Sequence, residues 1–157
     1  MIVLGIDPGS SLVGYGIVEN EKNKIRCLEY GTIEPIEKEQ SQRLVFIFNK
    51  VKEVIKKFKP EFVVVEELFF FKNQKTGIRV AEARGVIVLA CSLANVPVIK
   101  LGPLEVKKAI SGYGMADKSG IQKIVRMLLN LEEIPKPDDA ADALALAICG
   151  LGHSRLL

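Results

Sequence analysis

The sequence predicts an α/β fold built on a mixed five-stranded sheet, three antiparallel strands followed by parallel ones, with helices on its flanks. Three observations carry this. The first 33 residues hold three short apolar, partly β-branched runs separated by turn and polar residues, the pattern of a meander. From residue 41 onward, stretches with apolar residues every three or four positions alternate with short runs, the pattern of strand-helix crossovers. The chain has 157 residues, 48% of them hydrophobic and 26% charged, which suits a single domain over 1–157 with a core of its own.

Residues 2–6 form an apolar run that stops at Asp7-Pro8-Gly9-Ser10, a turn in which Gly9 can take the positive φ that other residues resist. Two further strands are predicted over 13–19 and 24–33. Between residues 41 and 58, Leu44, Ile47, Phe48, Val51, Val54, Ile55 and Phe58 recur at steps of three and four, an amphipathic helix that Pro60 ends. Phe62-Val63-Val64-Val65 is apolar at every position, as suits a strand covered on both faces, and it terminates in Glu66-Glu67. A helix over 76–94, a strand over 97–101 and helices over 118–129 and 139–149 complete the order βββαβαβαα. The tail, 151–157, is expected to fray.

Several classes fall away. The longest strongly apolar stretch, 85–94, is broken by Ser92 and followed by Asn95 and Pro97, whereas a membrane-spanning helix needs about 20 apolar residues. The N-terminus lacks the basic region of a signal peptide, so a cytoplasmic location is expected. Cys27, Cys91 and Cys149 are odd in number and stand beside a single histidine, His153, which argues against a disulfide framework and against zinc. The net charge of +3 is too small to name a partner.

The acids are more telling. Asp7 and Glu66 each end an apolar strand, where a carboxylate is costly unless it is paired or binds a cation. On the last helix Asp139 and Asp142 lie three residues apart, on one face, among alanines and leucines. An Ala- and Leu-rich helix packs closely on a sheet, so its acidic face can reach the strand ends, and four carboxylates would converge. Clustered carboxylates raise one another's pKa values, and divalent cations relieve that conflict. Two Mg²⁺ ions about 3.5 to 4 Å apart would form the clamp used in phosphoryl transfer, which makes a nuclease the natural hypothesis. Blander roles stay open for several acids, Asp7 as a turn residue, Asp138 as an N-cap, Asp139 as a first-turn acid and Glu67 as a solvated residue, whereas Asp142 inside an apolar helix and Glu66 at a buried strand end are harder to dismiss.

These stretches carry a family resemblance. Gly5-Ile6-Asp7-Pro8-Gly9-Ser10 with Gly14-Tyr15-Gly16, then Glu66-Glu67-Leu68-Phe69, Ala83-Arg84-Gly85, Val106-Lys107, Ala116-Asp117-Lys118-Ser119 and Asp139-Ala140-Ala141-Asp142-Ala143-Leu144-Ala145 together resemble the RuvC-type Holliday junction resolvases of the RNase H-like superfamily. The resemblance implies an RNase H-like fold and Asp7, Glu66, Asp139 and Asp142 as catalytic, metal-holding acids. It also implies Mg²⁺, two per active site with Mn²⁺ as the alternative, four-way junction DNA as substrate, a homodimer, and a branch-migration motor complex as a further partner. Cleavage would leave 5′-phosphate and 3′-hydroxyl ends.

Charge is sorted in a way that suits DNA. Residues 100–126 carry a net +4 and residues 69–84 a net +3. Such lysines and arginines give affinity that is independent of sequence and sensitive to salt. A solvated helix face explains Lys123 as well, whereas the family resemblance puts Lys107 and Lys118 close to the catalytic centre. Phe69-Phe70-Phe71 cannot all face one core, and an exposed aromatic beside such a site can stack on an unpaired base. The resemblance favours Phe69. The predicted helix 76–94 has small and apolar surface at Val80, Ala83, Gly85, Val86, Ile87 and Ala90 that either packs on the sheet or meets its own copy. Two other readings stand beside the nuclease. One is an actin-like or sugar-kinase-like ATPase, for whose two-lobed cleft the chain is short; the other is a non-catalytic junction-binding module.

Overall fold

A computed structural model describes residues 1–67, 74–112 and 117–153. Its elements run β1 (Ile2–Pro8), β2 (Val13–Glu21), β3 (Lys24–Ile33), α1 (Gln40–Phe58), β4 (Phe62–Glu66), α2 (Gln74–Leu93), β5 (Val98–Leu101), α3 (Pro103–Ser111), α4 (Lys118–Leu128) and α5 (Asp138–His153). The strands form one mixed sheet in the order β3-β2-β1-β4-β5. The β1–β2 and β2–β3 pairs are antiparallel, and β1–β4 and β4–β5 are parallel, as expected for a meander followed by crossovers.

Strand periodicity of two divides the core between the sheet's faces. In β4, Phe62 and Val64 point to one side and Val63 and Val65 to the other, and all four are buried. The first side is covered by α3, α4 and α5, through Val106, Ile110, Ile121, Val125 and the apolar face of α5. On the second side lie α1 and α2, through Ile47, Val51, Ile55, Ala83, Ile87 and Ala90. A strand buried on both faces has no polar side to show, which is why 62–65 reads as continuous apolar sequence.

The helix α5 lies unusually close to β1 and β2 because glycines face it. A Cβ on Gly5 would sit 2.0 Å from the carbonyl oxygen of Ala143, and one on Gly14 would sit 2.1 Å from that of Asp139. On Gly16 it would meet the Leu144 side chain at 2.7 Å. No side chain fits at these positions, so the glycines set the distance between α5 and the hairpin.

Two expectations are corrected and one open alternative is decided. The element order lacked α3, a nine-residue helix with only Val106 and Ile110 buried, too short to show a periodic stripe. Its sequence signals were Pro103 in the first turn and Glu105, whose carboxylate accepts from the Gly102 N–H at 2.7 Å. The last helix starts at Asp138 and runs to His153, so Asp138 is the first helical residue rather than an N-cap, and Leu151 to His153 are helical rather than frayed. Finally, Val80, Ala83, Ile87 and Ala90 are buried in the molecule's own core, because α2 faces the sheet with them. The apolar residues that α2 leaves exposed are Ile78, Leu89 and Leu93.

Candidate active site

Alternation along the strands decides where the acids go. In β1, Asp7 shares the α5-facing side with Val3 and Gly5, and in β4 Glu66 shares it with Phe62 and Val64. The parallel register sets Ile6 opposite Val65, so Asp7 and Glu66 are the next residues on adjacent strands. Across the hairpin Asp7 pairs with Gly14, and Gly14 is where the backbone of Asp139 comes down onto the sheet. Asp142 follows one turn along α5.

The four acids are half-buried, and they feel one another. Burial, together with the charges of Glu66, Asp142 and Asp139, pushes Asp7 up to about 8, and a hydrogen bond ties its carboxyl to Glu66. Burial likewise raises Glu66, aided by Asp142, while the hydrogen bond from Asp7 and the charge of Lys118 pull the other way. With its pKa pushed up to about 8, Asp7 keeps its proton and is the donor in that hydrogen bond. Burial raises Asp142 too, against the stabilising contact with Lys118.

Lys118 is the first residue of α4, and Asp117 caps that helix by accepting from the Gly120 N–H at 2.7 Å. From there its ammonium reaches Asp142 at 3.0 Å and Asp138 at 3.4 Å. Burial lowers the lysine's pKa, yet these two carboxylates outweigh it and hold the ammonium above its ordinary value. Lys107, on α3, lines the same cavity of about 210 Å³ as Lys118, Glu66 and Asp142, over a floor of Val106, Ile121, Ala145 and Leu146. Thus α3, which the sequence did not disclose, is the element that carries Lys107 to the site.

Of the expected site residues, Asp7, Glu66, Asp139, Asp142, Lys107 and Lys118 are brought together, and Phe69 lies outside the described residues. Among the described residues no three acidic, histidine or cysteine side chains surround a common point. Asp142 is instead paired with Lys118 at 3.0 Å. The donor set, four carboxylates with one forced to keep its proton, nevertheless fits hard divalent cations, which take oxygen ligands and relieve the repulsion. One contact had no sequence signal: Arg84 on α2 donates from Nε to the backbone carbonyl of Glu66 at 3.3 Å, at the end of β4.

A mixed sheet with acids on adjacent strand ends, two more on a closely packed helix, and lysines across a shared cavity is an RNase H-like fold with an acidic site at its strand ends. The yeast mitochondrial Holliday junction resolvase Ydc2 has this fold, at a TM-score of 0.64 and 16% identity over 94% of this chain and 77% of that one. The family is more specific: the model for crossover junction endodeoxyribonuclease RuvC matches residues 3–150, and the chain belongs to the RuvC family. It is 50% identical to the crossover junction endodeoxyribonuclease RuvC of Halothermothrix orenii, over 99% of this chain and 95% of that protein. With the RuvC of Caldicellulosiruptor saccharolyticus it shares 50% identity over 95% of this chain and 91% of that one. The solved structure of Thermus thermophilus RuvC superposes with a TM-score of 0.91 at 38% identity, covering 99% of this chain and 96% of that one. A second structure of that protein, in complex with a Holliday junction substrate, matches at a TM-score of 0.89 and 35% identity, covering 99% of this chain and 96% of that one. The chain is thus an endodeoxyribonuclease by family rather than an ATPase. Among the described residues no helix is long and apolar enough to cross a membrane.

Proposed function

We propose that this chain, acting as one nuclease domain, resolves four-way DNA junctions by hydrolysing a phosphodiester bond in each of two symmetric strands. The products carry 5′-phosphate and 3′-hydroxyl ends, suited to recombination and repair. The observation that supports this best is the Asp7–Glu66 pair, two carboxyls side by side with Asp7 pushed up to about 8. Such a pair is costly in a core and serves a nuclease that must hold cations. Asp7, Glu66, Asp139 and Asp142 would hold Mg²⁺, two per active site, with Mn²⁺ as the alternative. Bound there, the cations would neutralise the acids and supply an activated water.

The chain's own residues do the rest. The rigid β1–β4 ladder fixes the Asp7–Glu66 spacing, and the glycine-seated α5 brings Asp139 and Asp142 to it. Lys107 and Lys118 bring positive charge to the scissile phosphate, where negative charge develops. Phe69, in the aromatic run after β4, stacks on a base near the opened crossover. On α2, Ile78, Leu89 and Leu93 are exposed and Gly85 meets open space, a stripe at spacings of seven, four and four that suits packing against a second copy. A two-fold junction cut at two points then receives one active site from each subunit. A branch-migration motor complex would deliver the junction.

The decisive experiment incubates the protein with a labelled four-way junction and with linear duplex, in Mg²⁺ and in EDTA. Paired nicks confined to the junction and abolished by EDTA are expected; binding without cutting would reduce the chain to a junction-binding module. In the same assay Lys107→Ala and Lys118→Ala should lower the single-turnover rate at saturating protein by about tenfold or more, since one preorganised donor is worth that much. Weakened binding with an unchanged rate would make both lysines anchors only.

A further inference from the structure

The turn that follows Asp7 is held by an arginine distant in sequence. Arg43, in the first turn of α1, donates from Nη2 to the carbonyl of Ser11 at 2.9 Å. From Nη1 it donates to the carbonyls of Pro35 at 2.8 Å and Glu37 at 3.2 Å. Ser11 lies in the turn between β1 and β2, and Pro35 and Glu37 lie in the linker between β3 and α1, so the three carbonyls belong to segments outside the sheet. Backbone carbonyls without a ladder partner need a donor, and the rigid fork of a guanidinium can serve several at once where a lysine serves as a point charge.

The clamped turn runs close to Asp139. A Cβ on Gly9 would fall 2.3 Å from the Leu12 carbonyl oxygen and 3.8 Å from Oδ1 of Asp139, so the turn is folded tightly and lies over the Asp139 side chain. On either side of the turn, Asp7 and its partner Gly14 are fixed by the β1–β2 ladder, and Gly14 abuts the Asp139 backbone. The ladder holds the legs of this hairpin; its tip has Arg43.

We propose that Arg43 is a positioning residue that fixes the β1–β2 turn beside Asp139, so that Asp7 and Asp139 keep the spacing a divalent cation requires. This rests on the reading of the acids as cation ligands. Residues that orient metal ligands without touching the metal change affinity by about 10- to 100-fold when replaced.

The test is Mn²⁺ binding by isothermal titration calorimetry on the full chain, with wild type, Asp7→Asn, Arg43→Gln and Arg43→Lys. The wild type should bind Mn²⁺ and Asp7→Asn should lose it. Arg43→Gln should bind about tenfold more weakly or worse, and Arg43→Lys, with a point charge in place of the fork, should fall between. The Mg²⁺ concentration for half-maximal cleavage should rise by a similar factor, while junction affinity in EDTA stays within about twofold, because the clamp touches no basic DNA-facing residue. Wild-type Mn²⁺ affinity in Arg43→Lys and in any folded Arg43→Gln overturns the assignment, whatever happens to the melting temperature. A wild type that takes up no Mn²⁺, or an Asp7→Asn that binds it normally, overturns the cation-site reading and this assignment with it.

Discussion

Asp7→Asn is expected to lower junction cleavage in Mg²⁺ on the order of 10³-fold or more while leaving junction binding largely intact. A bound metal is worth several kcal/mol of transition-state charge stabilisation, and each ~1.4 kcal/mol is a factor of ten in rate. Binding is a separate matter, since phosphate contacts from lysines and arginines supply it. Glu66→Gln, Asp139→Asn and Asp142→Asn should behave alike. Asp138→Asn should not, because Asp138 is largely exposed and its ion pair with Lys118 lies at the flank of the site. Single-turnover cleavage and gel binding, measured in parallel, decide the matter. Substantial cutting by Asp142→Asn would show that the acidic face of α5 has been assigned wrongly.

The same substitution should have the opposite effect on stability. Folding pushes Asp7 up from 3.8 to about 8, so the folded chain holds this proton more tightly than the unfolded one. Within that window folding takes up a proton, and the stability of the metal-free protein falls as pH rises. Below the unfolded value the penalty is absent; above about 8 it is complete. Glu66 and Asp142, both raised, add in the same direction. In EDTA the melting temperature should therefore drop between pH 5 and pH 8. Asp7→Asn should melt higher than wild type at pH 8, by an amount on the order of 2 kcal/mol, roughly 4 to 8 °C for a chain of this size. Mg²⁺ should restore the wild type, because a ligand that binds only the folded state stabilises it. A variant that melts below wild type at pH 8 in EDTA would contradict a buried, repelling Asp7. In Mg²⁺ the proton competes with the cation, so cleavage should weaken as pH falls below about 8.

Much of this was legible before any coordinates. The amphipathic stripe of α1, the doubly covered run 62–65 and the three-strand meander each follow from a local periodicity, and each stands where it was expected. The acids were legible for a related reason: carboxylates at the ends of apolar runs and inside an apolar helix contradict their surroundings. Contradictions of that kind mark sites. Helix α3 was not legible, because nine residues with two apolar contacts make no stripe, and with it went the element that carries Lys107. The contacts of Arg43 and Arg84 were invisible as well, although Arg84 stands in one of the family stretches. Each arginine donates to backbone carbonyl groups outside its own helix, which leaves no mark on residue spacing.

By itself, the sequence determined which segments form strands and helices, which acids are out of place, and to which family of motifs they belong. Those properties reside in neighbouring residues, whose side-chain periodicity and turn chemistry act over a few positions. Only the tertiary structure decided that Asp7 and Glu66 share the face covered by α5, that Gly5, Gly14 and Gly16 let that helix descend onto the sheet, and that Lys118 pairs with Asp142. Strand register and helix approach are set by burying two apolar faces at once. That burial sums over residues scattered along the whole chain, so no local stretch of sequence displays its outcome.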